Sequence, residues 1–194
     1  MAHEHPAEYF MDFCTRNTTI VGTDEVGFQS FSDSVPRIGT EWRRGHFAVL
    51  LASNYGAIVA NISGANTVNS VMDAFDREYN EASDNFFRDD WEQALWVVVP
   101  EHSDTTASAS AITDIEETII ERLARHAGMP EPDTKFYDPD LLPQGTSVSN
   151  PPRQSTAPVV LRWWNITAGY SGGRCSIWCR GRMLTLFSEL PDLD

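Results

Sequence analysis

The chain is poor in positive charge and in long apolar runs. Its 194 residues include thirteen arginines but a single lysine, Lys135, against 28 acidic residues, so the formal net charge is −14. No apolar run approaches the roughly 18 residues of a transmembrane helix. The N-terminus lacks the basic and apolar regions of a signal peptide. These absences predict a soluble, cytoplasmic protein with no membrane partner.

Cysteine and the usual catalytic signatures are also scarce. The three cysteines, Cys14, Cys175 and Cys179, are an odd number that suits a reducing compartment, and no further ligand motif extends them to a zinc site. We therefore interpret them as structural. The chain has no G-x-S-x-G, no Walker A loop and no G-x-G-x-x-G. No cofactor is predicted from these patterns.

Charge is distributed unevenly along the chain. Residues 1–140 carry 25 acids and nine bases, whereas residues 141–188 carry five arginines and no acid. Arginines between aromatic residues are typical of proteins that stack single-stranded nucleic acid. They are equally typical of a hairpin whose arginines pair with an acidic body. We favour the hairpin and expect no nucleic acid partner. The residues on which the nucleic-acid alternative depends are Arg162, Trp163, Trp164, Arg174, Trp178, Arg180 and Arg182.

The hydrophobic pattern predicts a single domain over 1–194 with two main helices. Segments 46–51 and 57–62 are almost continuously apolar, which predicts two neighbouring strands in a sheet covered on both faces. Apolar residues at helical spacing predict helices over 66–82 and 111–127. Residues 94–99 form an apolar strand that Pro100 ends.

The remaining segments complete an α+β prediction with a central, mostly antiparallel or mixed sheet. Seven of the eleven prolines lie within 129–158, which predicts a long surface loop without an element of its own. The chain then ends in an antiparallel unit. The other predicted segments are a helix over 6–16, a hairpin or a strand and loop over 18–31, a possible helix extension over 88–93, C-terminal strands over 159–167, 174–179 and 182–187, and an acidic tail over 189–194.

The string Thr19–Gly27, which contains Asp24 and Glu25, resembles the first catalytic motif of the type-2 and type-3 ribonuclease H families. That resemblance implies two-metal hydrolysis, in which several carboxylates converge on paired Mg²⁺ or Mn²⁺ ions. The family's glycine-rich, arginine-bearing continuation is replaced here by Phe28–Phe31. The carboxylates available as partners are Asp73, Glu78 and Asp104. We take Asp24, Glu25 and Asp104 as the candidate metal ligands.

The order hairpin, helix, strand, helix, long loop and hairpin resembles the chemoreceptor glutamine deamidase (CheD) fold. In that family a cysteine opens the first hairpin strand and a histidine ends the second, and His46 and Asn61 stand at these places here. Gly172-Gly173-Arg174 is similar to the family's Gly-Gly-x-x-Gly-Arg stretch. Because a thiolate nucleophile with an adjacent base is the essence of that reaction, the resemblance implies a degenerate site that binds. His46, Asn61 and Ser63 would line a polar pocket there.

Three functional hypotheses follow from these patterns. The first is a non-catalytic binding or interaction protein that recognises a protein partner or forms a homo-oligomer through an edge strand. The alternative is a hydrolase, either metal-dependent and nuclease-like at Asp24 and Glu25 or deamidase-like at His46 and Asn61. A third hypothesis, nucleic acid binding by the C-terminal unit, predicts an affinity that falls steeply with salt.

Overall fold

A computed structural model describes most of the chain. The described residues are 18–31, 37–41, 44–101, 106–138, 164–171, 174–179 and 182–187. The predicted helix over 6–16 and the acidic tail over 189–194 lie outside them. The helices are α1 (Val68–Phe86) and α2 (Thr106–Leu123). The strands are β1 (Thr18–Val21), β2 (Glu25–Ser30), β3 (Arg37–Glu41), β4 (Phe47–Ser53), β5 (Gly56–Ile62), β6 (Gln93–Pro100), β7 (Asp133–Tyr137), β8 (Trp164–Ser171), β9 (Arg174–Cys179) and β10 (Arg182–Leu186).

The described strands form two five-stranded sheets, and this confirms the α+β class. The central sheet has the order β2-β5-β4-β6-β7, and the outer sheet has the order β1-β3-β8-β9-β10. Each is mixed, since β6 and β7 pair in parallel, as do β1 and β3. Both helices pack on one face of the central sheet and the outer sheet packs on the other. The result is a three-layer arrangement of helices, sheet and sheet.

The hairpin of β4 and β5 occupies the middle of this arrangement, as predicted from its continuous apolar character. Successive side chains point to opposite faces of a strand. Val49 and Leu51 therefore join the core beneath the helices, whereas Leu50 joins the core between the two sheets. Every residue of both strands is buried.

Side-chain hydrogen bonds also connect the two sheets. The Asn54 side-chain oxygen, in the turn between β4 and β5, accepts a hydrogen bond from the Cys175 amide at 2.8 Å. The Trp96 indole of β6 donates to the Thr185 hydroxyl of β10 at 2.9 Å. These contacts satisfy polar groups that would otherwise be costly to leave unpaired beside the inter-sheet core.

Both predicted helices are present, with different ends. The apolar stripe of α1, from Val68 to Tyr79, is buried as expected, but the helix continues to Phe86. A turn in which the Trp91 amide donates to the Arg88 carbonyl then leads into β6, so residues 88–93 do not extend the helix. Helix α2 begins five residues earlier than predicted, because its Ser/Thr-rich start also holds alanines, which favour helix.

Two predictions about irregular segments were wrong. Strands β1 and β2 do not form a hairpin, because β1 pairs with β3 in the outer sheet and β2 pairs with β5 in the central sheet. The proline-rich segment contains β7, which pairs in parallel with β6. Asp133–Tyr137 contains Thr134, Phe136 and Tyr137, which favour strands, and the edge of β6 supplies its hydrogen-bond partners. Residues 139–158 lie outside the described residues.

The predicted antiparallel C-terminal unit is confirmed for β8, β9 and β10. Its first strand continues to Ser171, beyond the predicted end at residue 167. Cys175 and Cys179 are free thiols on the inner face of β9, in the core between the sheets. Burial raises the pKa of the Cys175 thiol. No helix in the described ranges has the length and apolar content needed to cross a bilayer.

Candidate functional site

Residues from both predicted hydrolytic sites meet at one end of the central sheet. His46 precedes β4, Asn61 lies near the end of β5, and Asp24 precedes β2. The His46 Nδ1 atom lies 3.0 Å from the Asn61 side-chain oxygen. The two positions that the deamidase resemblance selects are therefore in contact, and the Asn61 amide sets the orientation of the imidazole ring.

Asp24 connects the β1–β2 turn to the loop that precedes α1. One carboxylate oxygen accepts a hydrogen bond from the Ser63 amide and the other accepts one from the Ser63 hydroxyl, both at 2.8 Å. Asp24 has a φ of 58°, a left-handed conformation that aspartate tolerates better than most residues. Burial alone would raise the pKa of Asp24, but hydrogen bonds from Ser63 and Thr67, with the nearby His46, lower it. The carboxylate is thus kept ionised, and its two hydrogen bonds to Ser63 join the β1–β2 turn to the loop that precedes α1. We call this contact between Asp24 and Ser63 the latch.

The other carboxylates of the predicted metal site do not join Asp24. Glu25 accepts a hydrogen bond from the Gly22 amide at 3.0 Å, and Asp73 binds Arg122 at 2.6 Å. Asp104 lies outside the described residues. Among the residues that the structure describes, including Glu78, no group of three or more His, Cys, Asp or Glu side chains could hold a metal ion.

Replacing Asp24 with asparagine tests the latch. Asparagine tolerates the same backbone conformation, so the change removes the charge and leaves the φ angle acceptable. We expect the free energy of unfolding at neutral pH to fall by about 1 kcal/mol. A carboxyl whose pKa is lower in the folded state stabilises the fold above its unfolded pKa near 4, and this contribution disappears as the pH falls through the folded value.

The wild-type protein should therefore lose more stability than Asp24→Asn as the pH falls from neutrality to strong acid. Urea denaturation of both proteins at several pH values measures the difference. The exposed Asp114→Asn on α2 is a matched control, for which we expect no such difference. Parallel pH profiles for wild type and Asp24→Asn would contradict the latch.

Trp178, one of the residues on which the nucleic-acid alternative depends, is buried. Trp178 is only 3% exposed, and its indole donates to the Ser176 hydroxyl at 3.1 Å, so its ring offers no open face for a base. Trp164, Arg174 and Arg182 lie in β8, β9 and β10, respectively. The others, Arg162, Trp163 and Arg180, lie outside the described residues.

A separate groove, which the sequence did not predict, lies on the helical layer. It has a volume of about 650 Å³ and is open to solvent. The C-terminal half of α1, the turn that follows α1 and the turn that follows α2 form its walls. Its lining residues are Tyr79, Asn80, Ser83, Asp84, Phe87, Arg88, Asp89, Asp90, Arg125, His126 and Ala127.

The floor of the groove combines aromatic rings with a fixed histidine. Tyr79 and Phe87 are buried members of the core beneath the helices. The His126 ring contacts Tyr79 edge-on, with centroids 4.8 Å apart, and its Nε2 lies 2.8 Å from an Asp76 carboxylate oxygen. Burial, together with the negative charge of Asp89, raises the pKa of Tyr79. The phenol therefore stays protonated and neutral at physiological pH.

An ion-pair network behind the groove joins the two helices. Arg122 of α2 binds Asp73 and also Asp76, the residue that holds His126. Hydrogen bonds to Asp73 and Asp76 raise the pKa of Arg122. The network thus positions His126 against α1.

The charged side chains at the rim of the groove differ in whether they make an ion pair. Arg88 pairs with Asp90 at 3.2 Å and lies over the Trp91 ring, 5.2 Å from its centroid. Asp84 and Asp89 are exposed carboxylates that make no ion pair with another described residue. The groove therefore presents the carboxylates of Asp84 and Asp89, together with the exposed guanidinium of Arg125, above a floor of aromatic rings.

The residues in and beside this groove did not indicate a binding site in the sequence. Asp76 lies on the polar side of α1, Tyr79 belongs to its apolar stripe, and His126 has no metal-like spacing to another histidine. One signal was present: Asp73 and Asp76 are three apart, and Arg122 and His126 are four apart. Such spacings would place each pair on one face of the predicted helices, so a complementary contact between them was foreseeable, although His126 lies in the turn after α2.

Comparisons with models of protein families and with curated protein sequences found no match. The functional argument therefore depends on the geometry and charge of the described residues.

Proposed function

We propose that this chain is a non-catalytic binding protein whose groove accepts a basic segment of a protein partner. The observation that supports this most directly is the composition of the groove. It is open, and the carboxylates of Asp84 and Asp89, which make no ion pair with another described residue, lie at its rim with the exposed Arg125. Sites for drug-sized molecules are mostly apolar and enclose the ligand. An open polar groove fits an extended segment of a larger partner better.

The charge around the groove supports a basic partner. Residues 68–92 and 106–128, which contain both helices and the adjoining turns, hold twelve acidic and four basic side chains. Such a field attracts a basic segment, accelerates its encounter with the groove and repels nucleic acid phosphates. The overall charge of −14 acts in the same direction.

The polar cluster at His46 supports binding over catalysis. An imidazole oriented by an amide is half of a nucleophile–base arrangement. The hydroxyl of Ser63, in the same cluster, donates a hydrogen bond to Asp24 rather than to His46. Asp24 and Ser63 thus have a structural role that accounts for their positions without a reaction.

A cytoplasmic location is part of the proposal. The chain has three cysteines, an odd number that suits a reducing compartment. Free thiols persist in reducing compartments. Basic segments of intracellular protein partners are accessible to the groove there.

Fluorescence anisotropy with a short labelled peptide that alternates arginine and serine tests this function. At about 50 mM salt we expect saturable binding that weakens as salt is added, because the attraction is between exposed charges. A matched peptide with glutamate in place of arginine should not bind. The double variant Asp84→Asn/Asp89→Asn should weaken binding about tenfold.

The control keeps the same change in net charge away from the groove. Glu116→Gln/Glu117→Gln alters two carboxylates of α2 that do not line the groove, so we expect it to retain most of the affinity. Equal losses in the two double variants would show that binding is non-specific. An absence of binding by the wild-type protein at low salt would refute the proposed function.

A further inference from the structure

We infer that the floor of the groove binds the main chain of the basic segment, with the Tyr79 hydroxyl donating a hydrogen bond to a carbonyl and the His126 Nδ1 atom accepting one from an amide N–H. This inference rests on the proposed function of the groove. It adds a point of recognition that is separate from the charges at the rim and does not depend on the side chains of the partner.

The Tyr79 hydroxyl is the first observation. Tyr79 is only 5% exposed, and its ring lies in the core beneath the helices, 6.3 Å from that of Phe87 between centroids. Its hydroxyl has no hydrogen-bond partner among the described residues. It is not one of their fully buried unpaired atoms either, so it reaches the groove that Tyr79 lines. Buried tyrosines usually pair the hydroxyl, and here a ligand in the groove supplies the partner.

The hydroxyl requires a ligand atom that accepts a hydrogen bond. Burial and the charge of Asp89 raise the pKa of Tyr79, so the phenol keeps its proton and donates it. Guanidinium and ammonium groups have donors and no acceptor. The cationic side chains of a basic segment therefore cannot accept this hydrogen bond, whereas its main-chain carbonyl groups can.

The His126 ring is the second observation. Its Nε2 atom lies 2.8 Å from an Asp76 carboxylate oxygen. Because a carboxylate only accepts hydrogen bonds, Nε2 carries the proton and Nδ1 of the neutral ring is an acceptor. The side chain is 14% exposed, and Nδ1 has no hydrogen-bond partner among the described residues. The ring contacts that of Tyr79, with centroids 4.8 Å apart, so the donor and the acceptor belong to one part of the floor.

A donor and an acceptor on neighbouring rings match an extended main chain. In such a segment the N–H and C=O groups of one residue point to the same side, as they do in a strand pair. Main-chain hydrogen bonds contribute affinity in many peptide complexes, while the side chains provide the specificity. In this groove the rim charges select a basic sequence, and Tyr79 and His126 hold its backbone.

Tyr79→Phe tests the donor, because it removes the hydroxyl and retains the ring. Isothermal titration calorimetry compares the arginine–serine peptide with spermine, a linear polyamine that has N–H donors and no acceptor when protonated. We expect peptide affinity to fall about fivefold and spermine affinity to be unchanged. Tyr55→Phe is the matched control, since Tyr55 does not line the groove, and it should bind both probes as the wild type does.

The outcomes separate this inference from the proposed function. Wild-type peptide affinity in Tyr79→Phe, or an equal loss for peptide and spermine, would overturn the inference while the proposed function stands. If the wild-type protein does not bind the peptide, both fail together. The Tyr79 hydroxyl has no partner in the described residues, so Tyr79→Phe should unfold at the wild-type temperature.

Nuclear magnetic resonance of the wild-type protein with ¹⁵N-labelled histidine tests the acceptor, and it does not depend on the stability of any variant. As the peptide is added, we expect the His126 Nδ1 resonance to move upfield, because that atom accepts a hydrogen bond. His46, whose Nδ1 already lies 3.0 Å from the Asn61 side-chain oxygen, is the internal control and should not move. An unchanged His126 resonance at saturating peptide would overturn its role.

Discussion

Phe75→Ala is expected to lower the free energy of unfolding by about 3–5 kcal/mol. Phe75 lies in the middle of α1 and is fully buried against the central sheet. Its replacement removes a large apolar surface and leaves a cavity between α1 and the hairpin of β4 and β5, which is too central to collapse around it. The lost contacts are the ones that hold the helical layer, and with it the groove, on the sheet.

Phe136→Ala provides a matched control for that experiment. Phe136 lies in the edge strand β7 and is 48% exposed, so the same substitution there should cost less than about 1 kcal/mol. Urea denaturation followed by circular dichroism measures both variants, and an unchanged slope of free energy against urea would show that the two-state transition is retained. Similar losses in the two variants would contradict the assigned layer order.

Arg122→Met is expected to lower the free energy of unfolding by about 2 kcal/mol. The Arg122 side chain is only 16% exposed and binds carboxylates of both Asp73 and Asp76. Methionine has a similar helix propensity, so the loss comes from the network. Asp73 is largely exposed and regains water, whereas Asp76 is mostly buried and loses its cationic partner. This asymmetry keeps the loss below that of a fully buried pair.

Arg77→Met tests whether the effect belongs to the network. Arg77 is exposed on α1 and makes no ion pair with another described residue, so its replacement should change stability by less than about 0.5 kcal/mol. A double-mutant cycle of Arg122→Met with Asp76→Asn should yield a coupling energy of about 1 kcal/mol. Additive losses would show that the two side chains do not stabilise each other.

The loss of Arg122 should also affect the groove. His126 is bound by the same Asp76 that Arg122 holds, so the variant loosens one wall of the groove. The imidazole then has a less restricted position beside Tyr79. If the network only stabilises the fold, a folded Arg122→Met protein should bind the arginine–serine peptide as the wild type does. If the groove depends on the network, the affinity of that variant for the peptide should fall.

The elements with a strong hydrophobic pattern were predictable from the sequence. The stripe of α1 and the continuous apolar runs of β4 and β5 indicated which faces are buried, because a helix or strand hides its apolar face wherever a partner surface is found. The hairpin's double burial was also foreseeable. Which layer covers each face of the hairpin could not be predicted, since the helices and the outer sheet both supply apolar surfaces.

The pairing of β1, β2 and β7 was decided by their partners. Strand β7 forms because β6 offers an open edge, and β1 and β2 separate because their hydrogen-bond partners, β3 and β5, belong to different sheets. Backbone hydrogen bonds between strands join residues far apart in the chain. No window of sequence around Asp133 or Thr18 contains that information.

The candidate sites show the same division. The residue types were visible, and Asp24, His46 and Asn61 were singled out for two separate chemistries. Their meeting at one end of the central sheet, and the use of Asp24 as a latch for Ser63, follow from the pairing of β2, β4 and β5. The groove draws on two turns and a helix, so its residues share no motif.

The sequence alone determined the charge of this protein, its two helices and the apolar hairpin at its centre, because each follows from composition or from a short periodic pattern. The tertiary structure decided the division into two sheets, the ion-pair network behind His126 and the contact between His126 and Tyr79 on the floor of the groove. Those features depend on contacts between distant segments, whose free energy is gained only when the layers pack together.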